Sequence, residues 1–129
     1  MQRDASLSAR STETQAVVNG FNDTFNRKDV DGIMAAMTED CVFESTSPAP
    51  NGTRFQGQAA VRALWGDFFK SSPGSSFETE DMFVAEDKCT IRWRYRRVES
   101  GGKKGEIRGV DIFTVRDGNV AEKMAYVKG

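Results

Sequence analysis

The sequence contains no histidine. That absence excludes Ser-His-Asp and Cys-His nucleophiles, histidine proton relays and histidine-bearing zinc or iron centres. Any acid–base chemistry must come from Asp, Glu, Lys, Tyr or water. Cysteine is scarce too. Cys41 and Cys89 match no metal-ligand spacing and lie in apolar, strand-like stretches, so both read as buried free thiols. A disulfide is the less favoured alternative in a cytoplasmic chain. No apolar run approaches the roughly 18 residues that span a bilayer. The opening MQRDASLSARSTET lacks the apolar stretch of a signal peptide, so a cytoplasmic location is expected. Nor is there an excess of either charge: 18 Lys and Arg stand against 19 Asp and Glu, a net charge of −1. Such a balance provides no general attraction to nucleic acid or to anionic membranes, and neither is expected as a partner.

What is present suits one globular domain. The 129 residues are 38% hydrophobic and 29% charged, enough for a core without covalent staples. Residues 1–10 are polar and expected to fray, leaving residues 11–129 as the domain. A helix is expected over 11–27, capped by Ser11 or Thr12, with Ala16, Val17, Phe21 and Phe25 inward. A second helix fits 30–37, with Asp29 as its cap and Ile33, Met34 and Met37 inward. Residues 38–40 break that pattern. A strand then follows over 41–46, with Cys41, Phe43 and Ser45 on one face. After the Pro- and Gly-bearing loop, Gly57 opens a third helix to residue 70 that buries Val61, Leu64, Trp65 and Phe68. Strands are expected over 77–86, 88–99, 106–116 and 120–128, with turns at 100–103 and at Asp117-Gly118-Asn119. Helices first and a meander after them point to an α+β fold with the helices on one sheet face.

The order of these segments resembles the nuclear transport factor 2-like (NTF2-like) superfamily, in its SnoaL-like and ketosteroid isomerase-like branches. The resemblance is carried by the Phe21/Phe25 helix, DVDGIMAAMTEDCVFES, FQGQAAVRALWGDFF and RGVDIFTVRDGNVAEKMAYV, nearly all of residues 14–128. It implies a cone-shaped, cystatin-like fold: three N-terminal helices packed on a curved, mixed but mostly antiparallel sheet around one pocket. It also implies a homodimer through the sheet. The superfamily holds isomerases, cyclases, dehydratases and pure binding modules, so it implies no single activity.

Set against ketosteroid isomerase, the general-base position falls on Ser45 and the oxyanion-hole tyrosine on Phe21. The two supporting tyrosines fall on Met37 and Trp65. Only the second oxyanion-hole acid is kept, as Asp111 in GVDIF. An isomerase of that type is therefore excluded. The last-strand acid of limonene epoxide hydrolase falls on Ala125, which disfavours that mechanism as well. SnoaL-type cyclases use one aspartate, and Asp111 is the residue placed to fill that role.

Alternation along 106–116 puts Ile107, Gly109, Asp111, Phe113 and Val115 on one face, with Asp111 as its lone charge. Buried there, Asp111 must be paired, hydrogen-bonded or protonated. It is the candidate catalytic residue; a structural aspartate in a salt bridge is the alternative. The candidate ligand-binding residues are Phe21, Met37, Phe43, Ser45, Trp65, Trp93, Tyr95, Phe113 and Tyr126, which together favour a flat apolar or aromatic molecule. No cofactor and no metal is expected. Arg92, Arg94 and Arg96, beside Arg97, occupy the opposite strand face and are read as cross-strand partners of Glu78, Glu80, Glu86 or Glu106. Glu44 points away from the pocket by alternation.

Two functions follow. One is an enzyme of isomerase, cyclase or dehydratase type using Asp111 on a small hydrophobic molecule. The other is a non-catalytic ligand-binding or dimerising module on the same scaffold.

Overall fold

A computed structural model of the chain describes residues 7–98 and 101–129. Helix α1 (Ala9–Asn26) begins where Ser8 Oγ accepts the Ser11 N–H at 3.0 Å, satisfying an amide that has no partner within the helix. The cap thus lies ahead of the expected Ser11 or Thr12, and Ala9 and Arg10 are helical rather than frayed. Ser11 is instead buried, its Oγ accepting the Glu86 N–H at 2.8 Å. The buried face is Ser11, Thr14, Val18, Phe21 and Phe25, while Ala16 is exposed and Val17 half-buried.

Helix α2 (Val30–Ala35) has the expected cap, with Asp29 Oδ1 accepting the Gly32 N–H at 3.1 Å. It stops short of Met37 because the chain turns into β1 (Met37–Glu44), which also takes up residues 38–40. A three-residue strand absent from the expectations, β2 (Arg54–Gln56), pairs antiparallel with β1. Gly57 at φ 89°, left-handed backbone that favours glycine, opens α3 (Gln58–Ser71). This helix buries Val61, Trp65 and Phe69, leaving Leu64 and Phe68 half-buried.

The long strands β3 (Ser76–Ala85), β4 (Lys88–Val98), β5 (Lys104–Arg116) and β6 (Asn119–Val127) form the meander. Asp117 (φ 53°) and Gly118 (φ 78°) turn between the paired Arg116 and Asn119, the positive-φ geometry that Asp-Gly suits. Gly101 and Gly102 also have positive φ in the β4–β5 connection; Glu99 and Ser100 lie outside the described residues. The sheet order is β2-β1-β6-β5-β4-β3, antiparallel throughout except for the parallel β1–β6 pair. Three helices cover one face of this curved mixed sheet, the α+β arrangement expected.

The core lies between the two layers. Phe21 meets Trp65 at 5.9 Å and Phe113 at 5.6 Å, both edge-on, while Phe25 meets Trp65 at 5.4 Å. Such contacts contribute about 0.5–1.5 kcal/mol each beyond burial. Cys41 and Cys89 are free and buried in the same core.

Candidate functional site

A cavity of about 450 Å³ opens between the helices and the sheet. Phe43, Phe55 and Trp65 line it from β1, β2 and α3, and Phe68, Phe77 and Tyr95 from α3, β3 and β4. These walls are stacked on one another: Phe77 and Tyr95 lie 4.5 Å apart at 27°, and Phe43 and Phe55 6.3 Å apart at 20°. Flat, apolar surfaces of this kind suit a flat, apolar guest.

Three charged side chains reach the cavity from the sheet: Asp111 of β5, Lys123 of β6 and Arg97 of β4. Asp111, on the inward face of β5, is the one expected. Lys123 of β6 was not expected, and its Nζ stands 3.2 Å from Asp111 Oδ2. Both side chains are 7% exposed. Phe113 is directly opposite Lys123, and Asp111 opposite Ala125, so the two charges are diagonal neighbours across the hairpin. The ammonium also lies over aromatic faces: Phe43 at 4.9 Å, Phe25 at 5.2 Å, Phe113 at 5.8 Å and Trp65 at 6.0 Å. Each of these neighbours interacts favourably with a positive charge. The pair is therefore neutral as a unit and enclosed in rings. Asp111 Oδ1, by contrast, has no hydrogen-bond partner among the described residues, and the same holds for Trp93 Nε1 and Tyr95 Oη.

Why Lys123 points inward is a matter of register. Val115 pairs with Val120 beside the Asp-Gly turn, but Thr114 pairs with Glu122, which leaves Ala121 as an extra residue in β6. Such a bulge moves every later side chain to the other face. Val120 and Ala121 are both buried in succession; then Lys123, Ala125 and Val127 line the cavity while Tyr126 turns out. Tyr126 is 53% exposed on the outer face, away from the site assigned to it. Strict alternation from the hairpin predicts the opposite assignment. The one available signal was the lysine itself, in a strand whose other residues on that face, Ala121, Ala125 and Val127, are apolar.

Of the other expected site residues, Phe43, Ser45, Trp65, Trp93 and Tyr95 line the cavity together with Asp111. Phe21, Met37 and Phe113 are core residues that do not line it. The Ser45 hydroxyl donates to the Ser47 carbonyl at 2.9 Å and accepts the Thr53 N–H at 3.1 Å, fastening the loop at the cavity edge.

Arg92, Arg94 and Arg96 of β4 face outward and pair across strands, whereas Arg97 lines the cavity. Glu80 accepts from Arg94 at 2.9 Å and Arg108 at 2.8 Å, with Arg92 at 3.9 Å. Arg96 meets Glu78 at 2.9 Å, and Glu106 lies within 3.7 Å of both Arg94 and Arg96. Hydrogen bonding from Arg108, joined by the charges of Arg108 and Arg94, holds the Glu80 carboxyl below the ordinary carboxylate range despite some desolvation. Glu86 takes a different place, in the β3–β4 turn at φ 56°. Glu44 faces the outer side with Tyr126. Burial pushes the Cys89 thiol up to about 11 and raises Cys41 as well. Among the described residues no group of three Cys, Asp or Glu could hold a metal ion, and no helix is long and apolar enough to cross a membrane.

A family model described as the SnoaL-like domain matches residues 18–123. No curated protein is significantly similar in sequence. An NTF2-like protein of unknown function from Mesorhizobium loti is 40% identical, with 96% of this chain and 98% of that one covered and a TM-score of 0.81. A SnoaL-like polyketide cyclase, so described provisionally, from Jannaschia sp. CCS1 is 19% identical over 97% of this chain and 92% of that one, TM-score 0.83. A Mycobacterium tuberculosis protein solved in complex with estradiol-17beta-hemisuccinate is 20% identical over 88% of this chain and 92% of that one, TM-score 0.76. The chain belongs to the SnoaL-like family of the NTF2-like fold.

Proposed function

We propose that the protein binds a small, flat, largely apolar molecule in the aromatic cavity. Asp111 is the acid–base group of a cofactor-independent isomerisation, cyclisation or dehydration of that molecule. The observation that carries this reading is the asymmetry of the Asp111 carboxylate. Oδ2 is held by Lys123, while Oδ1 is a buried acceptor without a partner at the wall of a cavity large enough for a ligand. A carboxylate fixed by one oxygen keeps the other in a defined position, which is what proton transfer requires. Support comes also from the complex of the Mycobacterium tuberculosis relative with estradiol-17beta-hemisuccinate, a flat and mostly apolar molecule. The same reading places the protein in the cytoplasm, in keeping with its free thiols. It also makes the protein a homodimer through the outer sheet face, where Phe83, Ile112 and Tyr126 are exposed; sedimentation as a monomer would remove that part.

The test is to soak crystals with bicyclic aromatic and polyketide-like fragments. Density between the aromatic walls and beside Asp111 Oδ1 supports the reading, and a cavity empty across the series refutes it. One observation favours a second reading, a non-catalytic binding module: Ser45, at the position of the isomerase base, spends its hydroxyl on the loop. Ligand density without turnover of any enolisable fragment would select it.

A further inference from the structure

Resting on the proposed function, we propose that Lys123 is a second catalytic residue of this cavity, the donor that stabilises the enolate formed when Asp111 removes a proton. Asp111 Oδ1 and Lys123 Nζ stand side by side as an acceptor and a donor, both deeply buried and both lining the cavity. A guest complementary to that pair carries an acidic C–H next to a carbonyl oxygen. The carbonyl accepts from the Lys123 ammonium, and the α-carbon faces Asp111.

The charges then balance at each stage. Asp111 removes the α-proton, the C–H electron pair forms the new carbon–carbon double bond, and the carbonyl π pair moves onto oxygen. The negative charge leaves Asp111 for that oxygen, and Lys123 compensates it in both places. Return of the proton from Asp111 to a conjugated carbon restores the carbonyl and the original ion pair. Rings within 4.9–6.0 Å of Nζ keep water from competing for the ammonium. An ammonium serving only to neutralise Asp111 would not need to border the cavity, whereas Lys123 does.

The experiment compares 2-naphthol, whose anion mimics the enolate, with naphthalene, which shares its shape. The chain's two tryptophans, Trp65 and Trp93, both line the cavity, so their indole N–H signals report binding by NMR. In Asp111→Asn, which mimics the protonated acid, 2-naphthol should bind roughly tenfold or more tightly than naphthalene and show the naphtholate absorption band. In the double variant Asp111→Asn/Lys123→Met the band should vanish and the two probes should bind alike. If the double variant keeps the band or the preference, the assignment of Lys123 is overturned while the cavity reading stands. If neither probe binds any variant or the wild type, the cavity reading and this inference fall together. Should Asp111→Asn not fold, the wild type against Lys123→Gln decides the matter: a preference for 2-naphthol unchanged by the substitution overturns the assignment.

Discussion

Gly109 on β5 stands directly opposite Trp93 on β4, with the indole over its α-carbon. A Cβ added there would fall 2.5 Å from Trp93 Cζ2 and 2.3 Å from the Tyr126 carbonyl oxygen. Neither the backbone oxygen nor the packed ring can move away freely. Gly109→Ala should therefore cost about 1–3 kcal/mol, the usual range for an overpacked core. It should also shift the Trp93 indole signal and weaken binding of bicyclic probes. Urea unfolding followed by Trp fluorescence checks the first expectation, and an unchanged midpoint would contradict it.

The buried ion pair predicts an asymmetric response to substitution. Lys123→Met leaves Asp111 charged and enclosed without its partner, a loss of about 3–5 kcal/mol for pairs of this kind. Adding Asp111→Asn removes the stranded charge and should recover a large part of the loss. Additive denaturation midpoints for the two changes would mean that the residues are not coupled.

Glu80 gives a pH dependence of definite sign. Its folded carboxyl is held below the ordinary value of 4.5 by Arg108 and Arg94, so the folded state binds protons less readily than the unfolded chain there. The resulting stabilisation is fully present above the unfolded value and is lost as pH falls through the folded one. Glu80→Gln should therefore flatten the decline of the urea midpoint below pH 4.5, and should do so less at high salt. Superimposable wild-type and variant profiles would contradict this.

The thiols should be silent in the native protein. Cys89 is displaced by burial to about 11, and Cys41 is raised too, so little thiolate exists at pH 8 and neither sulfur is accessible. A disulfide-exchange reagent should label almost nothing until guanidinium is added, and then two thiols per chain. Rapid labelling without denaturant would show that the core opens.

The sequence made the scaffold legible because its signals were local and repeated. The Asp29 cap, the Gly57 start of α3, the Asp117-Gly118 turn and the period-two faces of β4 and β5 each stand in a handful of residues. Asp111 was recognisable in the same way, as a charge on an apolar strand face. Lys123 was overlooked and Tyr126 misplaced because the bulge at Ala121 is a property of the β5–β6 pairing, with no proline or glycine to announce it. β2 was missed for a related reason: three residues carry too little pattern to distinguish a strand from a loop. The arginine–glutamate face was readable in kind, yet the convergence of Arg92, Arg94 and Arg108 on Glu80 depends on strand register.

The central claim is that Asp111 moves a proton on a ligand held in the aromatic cavity. Deuterium uptake by 2-tetralone, a bicyclic enolisable ketone, tests it most directly because proton removal is seen without knowing the natural product. In D2O the wild type should exchange the α-protons well above the buffer rate. Asp111→Asn, binding the ketone comparably by its indole signals, should lose about 100-fold or more of that acceleration. Equal exchange by wild type and variant, or none by a wild type that binds the ketone, would contradict the account.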